Sequence, residues 1–289
     1  MAHAMGADYI ELDAVLTRDN TLVVLHDLFL DAVTDVAERF PDRNRADGHY
    51  YSIDFTLSEI KALRVNERIR EPAFPGRFPA KDNIFRIPTL AEMITLIQGL
   101  NRSTGREAGL YIEPKAPAWH TAEGRDIIGD LLPVLATFGY STRQDRVYLQ
   151  SFDMDALKRA RHERGVDLQL VQLIGENSWR ESATDFDYLR TRAGLKEVAG
   201  FANGIGPWLP HIIDIEENSP LDISDLISNS HAEGLFVHAY TLRADQLPEK
   251  VPDLDAAMQI LVDQAGLDGV FTDHPDQVME SLRAVKNMS

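Results

Sequence analysis

Residues 109–152 read GLYIEPKAPAWHTAEGRDIIGDLLPVLATFGYSTRQDRVYLQSF, and the fold is decided here. Gly109 to Glu113 is a short apolar run that ends on a charge, the pattern of a buried strand. Ile127, Ile128, Leu131, Leu132 and Leu135 then recur at helical spacing. Pro133 interrupts that helix and predicts a kink. Val147 to Phe152 is a second apolar strand. A strand, a helix and another strand at this spacing predict a parallel pair joined by a crossover.

The rhythm repeats outward in both directions. Downstream come a helix through Ala156, Leu157 and Ala160, then strands at Leu168–Ile174, Gly204–Pro207, Leu235–Thr241 and Gly269–Asp273, then a last helix ending near Val285. Upstream, Tyr9–Asp13 is the opening strand. The expected fold class is α/β, a (β/α)8 TIM-type barrel with about seven of its eight strands in hand. Residues 1–289 are expected to form one domain. The stretch at about 30–86 is rich in Asp, Arg, Pro and aromatics, with one helical segment at Leu57–Leu63. It reads as an insertion over the barrel mouth, because long loops in compact domains tend to be functional.

With 44% hydrophobic residues, 289 residues can bury a large core. Zero cysteines exclude disulfides, thiol nucleophiles and cysteine-held metals. A net charge of -17 argues against nucleic acid as a partner, since such binding draws on cationic contacts with phosphates. No apolar run is long enough to span a bilayer. The start, MAHAMGADYIELD, lacks the basic-then-apolar order of a signal peptide, so the chain as written is expected to be soluble and unexported.

Alternation in strands puts Glu11 and Asp13 on one face, with Ile10 and Leu12 on the other. Two inward carboxylates are costly without a compensating cation, and Ca²⁺ or Mg²⁺ suits all-oxygen ligands. Two solvated acids on an exposed edge strand are the ordinary alternative. Glu113 and Lys115 form a second such pair, able to add a carboxylate to the ion and a cation for a phosphate oxygen; a surface ion pair is the alternative there. Asp19-Asn20 looks like a tight turn, so residues 14–26 are expected to fold back as a hairpin. That return would bring His26 beside Glu11 and Asp13, where an imidazole suits proton transfer. His120, His211, His238 and His274 read as loop or core histidines. Asp273 ends the last strand. Trp208 and Tyr240 stand near strand ends, where they could wall a pocket or pack in the core.

The strings GADYIELDAVLTRDNTLVVLHD, LDAVTDVAERFPDR, DFTLSEIKAL, YIEPKAP, VYLQSF, GIGP, VHAYTLR and GVFTDHPD follow one another from Gly6 onward. Together they resemble glycerophosphodiester phosphodiesterases, in particular the long, calcium-dependent periplasmic branch of bacteria. The resemblance implies metal-assisted hydrolysis of glycerophosphodiesters to glycerol 3-phosphate and an alcohol. It implies that Glu11, Asp13 and Glu113 are metal ligands for Ca²⁺, with Mg²⁺ as the other candidate, and that His26 is one of two catalytic histidines. It also implies that Lys115, Gln150, Phe152 and Tyr240 meet the substrate. The family's first strand, ending in His-Arg-Gly, has no counterpart here: Met1–Met5 match the end of the helix that follows it. Two expectations follow, a start codon internal to a longer reading frame or a relic chain that binds glycerophosphodiesters without turnover. A periplasmic location follows from the resemblance only with a longer start.

Overall fold

The computed structural model describes residues 1–68, 85–214, 222–247 and 250–288. Eight strands build its sheet: β1 Tyr9–Leu16, β2 Leu22–Val24, β3 Gly109–Pro114, β4 Val147–Ser151, β5 Gln169–Ile174, β6 Gly204–Pro207, β7 Phe236–Leu242 and β8 Gly269–Thr272. All seven expected barrel strands are present, and β2 is the return arm of the expected hairpin. The chain resolves into two compact units. One comprises residues 1–10, 107–111 and 140–289, the other residues 11–106 and 112–139. The strands β1 and β3 begin in the first unit and end in the second.

In the first unit the strand order is β8-β7-β6-β5-β4, then the opening residues of β3 and of β1. The pairs β4–β5, β5–β6, β6–β7 and β7–β8 are parallel. Helices connect them, as the alternating pattern requires. The segment Met154–Lys158 follows β4, capped by the Asp153 side chain on the Ala156 N–H, and Arg192–Ala199 precedes β6, capped by Thr191. Along each strand one set of side chains shares a face. Tyr9, Tyr111, Tyr148, Phe236, His238 and Phe271 meet as a continuous layer, with ring centroids between 4.5 and 6.3 Å apart. Gly109 and Gly204 make room for that layer. A Cβ on Gly109 would lie 2.4 Å from the Tyr9 ring and 2.6 Å from the Arg146 carbonyl, and one on Gly204 would lie 2.2 Å from the Phe236 ring.

In the second unit β1 is flanked by β3 on one side and by β2 on the other. The antiparallel register Ala14↔Val24, Val15↔Val23 and Leu16↔Leu22 closes a hairpin whose turn places Asn20 at a φ of 58°. Val15, Val23 and Leu25 then pack against Leu30, Val36, Phe55, Ile60 and Leu63, so the described part of the 30–86 stretch shares a core with the hairpin. Residues 69–84 of that stretch lie outside the described residues. The expected helix at Leu57–Leu63 is present as Leu57–Ala62, opened by a Thr56–Glu59 capping box. A second capping box, Thr89–Glu92, opens the helix Leu90–Thr104. The helix Ile127–Thr137 runs through Pro133 without ending there. A proline in mid-helix removes one backbone hydrogen bond, and the buried Ile127, Ile128, Leu131 and Leu135 hold the helix on both sides of it.

Two glycine substitutions should change stability in opposite directions. Gly99 lies inside the helix Leu90–Thr104 with nothing within 4 Å of an added Cβ, so Gly99→Ala should stabilise by about 0.5–1 kcal/mol. Gly109→Ala drives a methyl into a backbone carbonyl and should cost about 1–3 kcal/mol. Urea unfolding of both variants measures the two signs.

Candidate active site

The second unit gathers the charged residues singled out in the sequence. Leu12 is buried at 5% exposure, and the alternation of β1 therefore turns Glu11 and Asp13 to the opposite face. At the end of β3 the Lys115 N–H donates to the Ala14 carbonyl at 3.0 Å, which draws the Glu-x-Lys pair alongside β1. One carboxylate oxygen each from Glu11, Asp13 and Glu113 falls within 4.8 Å of the others. Lys115 Nζ lies 2.8 Å from Glu113 Oε1 and 3.7 Å from Asp13 Oδ1. The cluster is graded in depth: Glu11 is exposed, Asp13 half-buried and Glu113 buried.

Electrostatics follow from that grading. Burial penalises the Glu113 carboxylate and pushes its pKa up to about 7; the neighbouring Asp13 charge adds to the rise, and Lys115 opposes it. Three carboxylates facing one ammonium leave an excess of negative charge on hard oxygen donors. Such a set fits a divalent cation of the calcium or magnesium type and does not fit a soft metal.

The hairpin returns the chain to this cluster. The Leu25 N–H donates to the Asp13 carbonyl at 3.1 Å, which places His26 next in line. Its ring is 62% exposed, and Nδ1 lies 2.7 Å from Asp27 Oδ1. Asp27 is held at a pKa of about 2, first by the hydrogen bond from His26 and then by Arg68, against the cost of its own burial. The Asp27 carboxylate therefore accepts from the ring and fixes which nitrogen remains free. Sequence reasoning passed over Asp27, although its adjacency to His26 was visible.

Gln150, Phe152 and Tyr240 belong to the first unit. Gln150 is 3% exposed within β4. Phe152 and Tyr240 meet edge to face at 6.0 Å, and the Tyr240 hydroxyl donates to the Ile174 carbonyl at 3.1 Å. Trp208 follows the last residue of β6 and bridges Tyr240 through the backbone. Trp179, unremarked in the sequence, packs on Trp208 at 5.1 Å; its position in a loop gave no periodic signal.

The remaining histidines take the core and loop places expected of them. His120 is fully buried, held at the Ala116 carbonyl, and burial lowers its pKa. His238 sits 3.2 Å from the Tyr111 hydroxyl, with burial driving its pKa down to about 4. His211 donates to Glu176 at 2.7 Å. His274 accepts from the Ala244 N–H at 3.3 Å.

Comparison with known proteins accords with this geometry. The model of the glycerophosphoryl diester phosphodiesterase family matches residues 1–277. A glycerophosphodiester phosphodiesterase of Haemophilus influenzae is 40% identical over 99% of this chain and 85% of its own length. The enzyme of the same name from Treponema pallidum is 35% identical over 96% of this chain and 84% of its own. Among solved structures, an Oleispira antarctica phosphodiesterase in complex with the product sn-glycerol-3-phosphate aligns with a TM-score of 0.62. That alignment covers 97% of this chain and 87% of the other at 20% identity, a likeness of fold. With its parallel strand series, its carboxylate cluster and these relatives, the chain belongs to the glycerophosphoryl diester phosphodiesterase family of phosphodiester hydrolases.

Proposed function

We propose that the chain hydrolyses glycerophosphodiesters to glycerol 3-phosphate and an alcohol, with Glu11, Asp13 and Glu113 holding one calcium ion. The observation that carries this reading is the convergence of the three carboxylates within 4.8 Å, in a chain of this family. Calcium is preferred to magnesium because it accepts an irregular ligand set of differing depth, whereas magnesium demands a near-ideal octahedron. A bound divalent cation supplies a Lewis-acid centre for the phosphate oxygens. Lys115, already at the rim of the cluster, adds a second positive charge for the same phosphate. The exposed His26 exchanges a proton with the reacting oxygens, and Asp27 keeps its ring oriented. Gln150, Phe152 and Tyr240 are proposed as substrate contacts. The family resemblance further supports the long, calcium-dependent branch, and residues 1–289 acting as one domain.

A second reading rests on the histidines. Phosphodiester cleavage moves one proton off the attacking oxygen and another onto the departing alcohol. Among the described residues of the second unit, His120 is buried, and His26 is the histidine whose charge acts on Glu113 of the cluster. A chain with half of an acid/base pair would bind glycerophosphodiesters without turnover.

Release of glycerol 3-phosphate from glycerophosphocholine, with calcium and with chelator, separates the two readings. The hydrolase reading predicts calcium-dependent release that Glu11→Ala removes. Substrate binding with no release under either condition supports the second. His26→Ala should lower turnover by about 10²–10⁴ while cation binding persists; an unchanged turnover number would remove His26 from the chemistry.

Stability should depend on pH in a way the cation cancels. In the metal-free chain the folded Glu113 holds its proton up to about pH 7, against an ordinary value of 4.5. The folded state therefore binds more protons across that window, and its stability falls as pH rises through it. Thermal melts from pH 5 to 8 should show that decline with chelator and lose it with calcium. Identical profiles under both conditions would contradict the assignment.

A further inference from the structure

In the second unit, the chain leaves β3 just after Lys115, and the backbone there is pinned on both sides. The Lys115 N–H donates to the Ala14 carbonyl of β1 at 3.0 Å. The next residue, Ala116, takes the left-handed region at φ 42° and ψ 61°, and Pro117 then opens the helix Pro117–Ala122. A Cβ disfavours that region, and a following proline pushes the preceding residue toward extended backbone. The bend is therefore held from outside residue 116.

His120, one turn into that helix and fully buried, supplies the hold. The Leu16 N–H at the end of β1 donates to its Nε2 at 3.4 Å, so Nε2 carries no proton. Nδ1 stands 3.2 Å from the Ala116 carbonyl, which can only accept, so Nδ1 carries the proton. The Lys115 backbone is a further hydrogen-bond partner of the ring. Burial lowers the His120 pKa, and the neutral imidazole offers the one donor and one acceptor that these partners require. A single ring thus joins the end of β1, the strand of Glu11 and Asp13, to the peptide that follows Lys115. The helix has fastenings of its own. Glu123 accepts from Arg45 at 2.8 and 3.0 Å, and Arg125 donates to Asn20 Oδ1 at 2.7 Å and to the Arg18 carbonyl at 3.0 Å. Losing the ring would loosen the bend and leave the helix docked.

We propose that His120 is a positioning residue for Lys115: by fixing the Ala116 bend it holds the ammonium against Asp13 and Glu113, aimed at a phosphate on the cation site. The inference rests on the reading of Lys115 as a phosphate contact and deepens it by naming what sets its direction. Lysine carries a point charge on a flexible four-carbon stem, so its aim is set by how firmly its backbone is held. An unpinned stem would be ordered anew at each binding event, at a cost in affinity. His120 itself touches neither phosphate nor ion in this role.

A double-mutant cycle on the full chain in calcium, read as calorimetric affinity for glycerol 3-phosphate, tests this without requiring turnover. His120→Phe and Lys115→Met should each weaken glycerol 3-phosphate about tenfold, the scale of one charge-assisted hydrogen bond. The double variant should bind no more weakly than Lys115→Met alone, because His120 acts through that ammonium. Calcium itself should bind His120→Phe at least as tightly as the parent, since its ligands stay in place. Additive losses, or calcium affinity falling in step with that for glycerol 3-phosphate, would show a general loosening of the strand ends and overturn the proposal. Should His120→Phe fail to fold, His120→Asn keeps a donor for the Ala116 carbonyl, gives up the acceptor for Leu16, and enters the same cycle under the same criteria. Glycerol 3-phosphate affinity absent from the parent, or unchanged in Lys115→Met, would take down the reading of Lys115 and the proposal together. Loss in Lys115→Met with none in the His120 variant would sink the positioning role alone.

Discussion

One ammonium group, that of Lys115, faces three carboxylates, and the charge balance of the cluster depends on that shortage. Two unit charges about 4 Å apart interact by about 4 kcal/mol at the effective dielectric of a protein surface. The two Lys115 contacts, to Glu113 and to Asp13, can therefore offset roughly two of the three repulsions among Glu11, Asp13 and Glu113. What is left over is relieved in one of two ways. Glu113, the deepest of the three, keeps a proton to near neutrality, or a divalent cation takes the proton's place. The same burial that makes Glu113 a poor carboxylate alone makes it a strong ligand once a cation is beside it.

The surrounding structure serves to keep those charges in place. Every residue of β3 is buried, so Glu113 is carried by a strand with little room to shift, and Lys115 follows directly on its end, itself buried. The hairpin core of Val15, Val23 and Leu25 against Phe55, Ile60 and Leu63 fixes the return of the chain to Asp13. Arg45 ties the described part of the 30–86 stretch to the helix Pro117–Ala122 that follows Lys115, pairing with Asp54 at 2.7 Å and with Glu123 at 2.8 Å. The stretch that interrupts the strand–helix rhythm is in this way fastened to the two segments that carry the cluster.

Much of this was legible in sequence because it is periodic. Glu11-Leu12-Asp13 and Glu113-Pro114-Lys115 announce a shared face through the two-residue repeat of a strand, and Asp19-Asn20 announces the turn that returns His26. The alternation of strand and helix was equally plain, and all seven barrel strands stand where expected. Depth was not legible: nothing in the pattern distinguishes the exposed Glu11 from the buried Glu113, because burial is set by neighbouring strands and loops. Nor was Trp179, whose loop obeys no period and whose place depends on the bare backbone of Gly175. Asp27 was overlooked for another reason. Its partners are His26, one residue away, and Arg68, distant in sequence, and only folding brings the two together.

The account turns on whether the three carboxylates share one ion, and direct titration of the chelator-treated protein with calcium addresses that most plainly. Uptake of a single ion per chain, with proton release near pH 6 and no uptake by a folded Glu113→Gln variant, is the predicted result. A chain that takes up no ion, or a Glu113→Gln variant that takes it up as the parent does, would contradict the account.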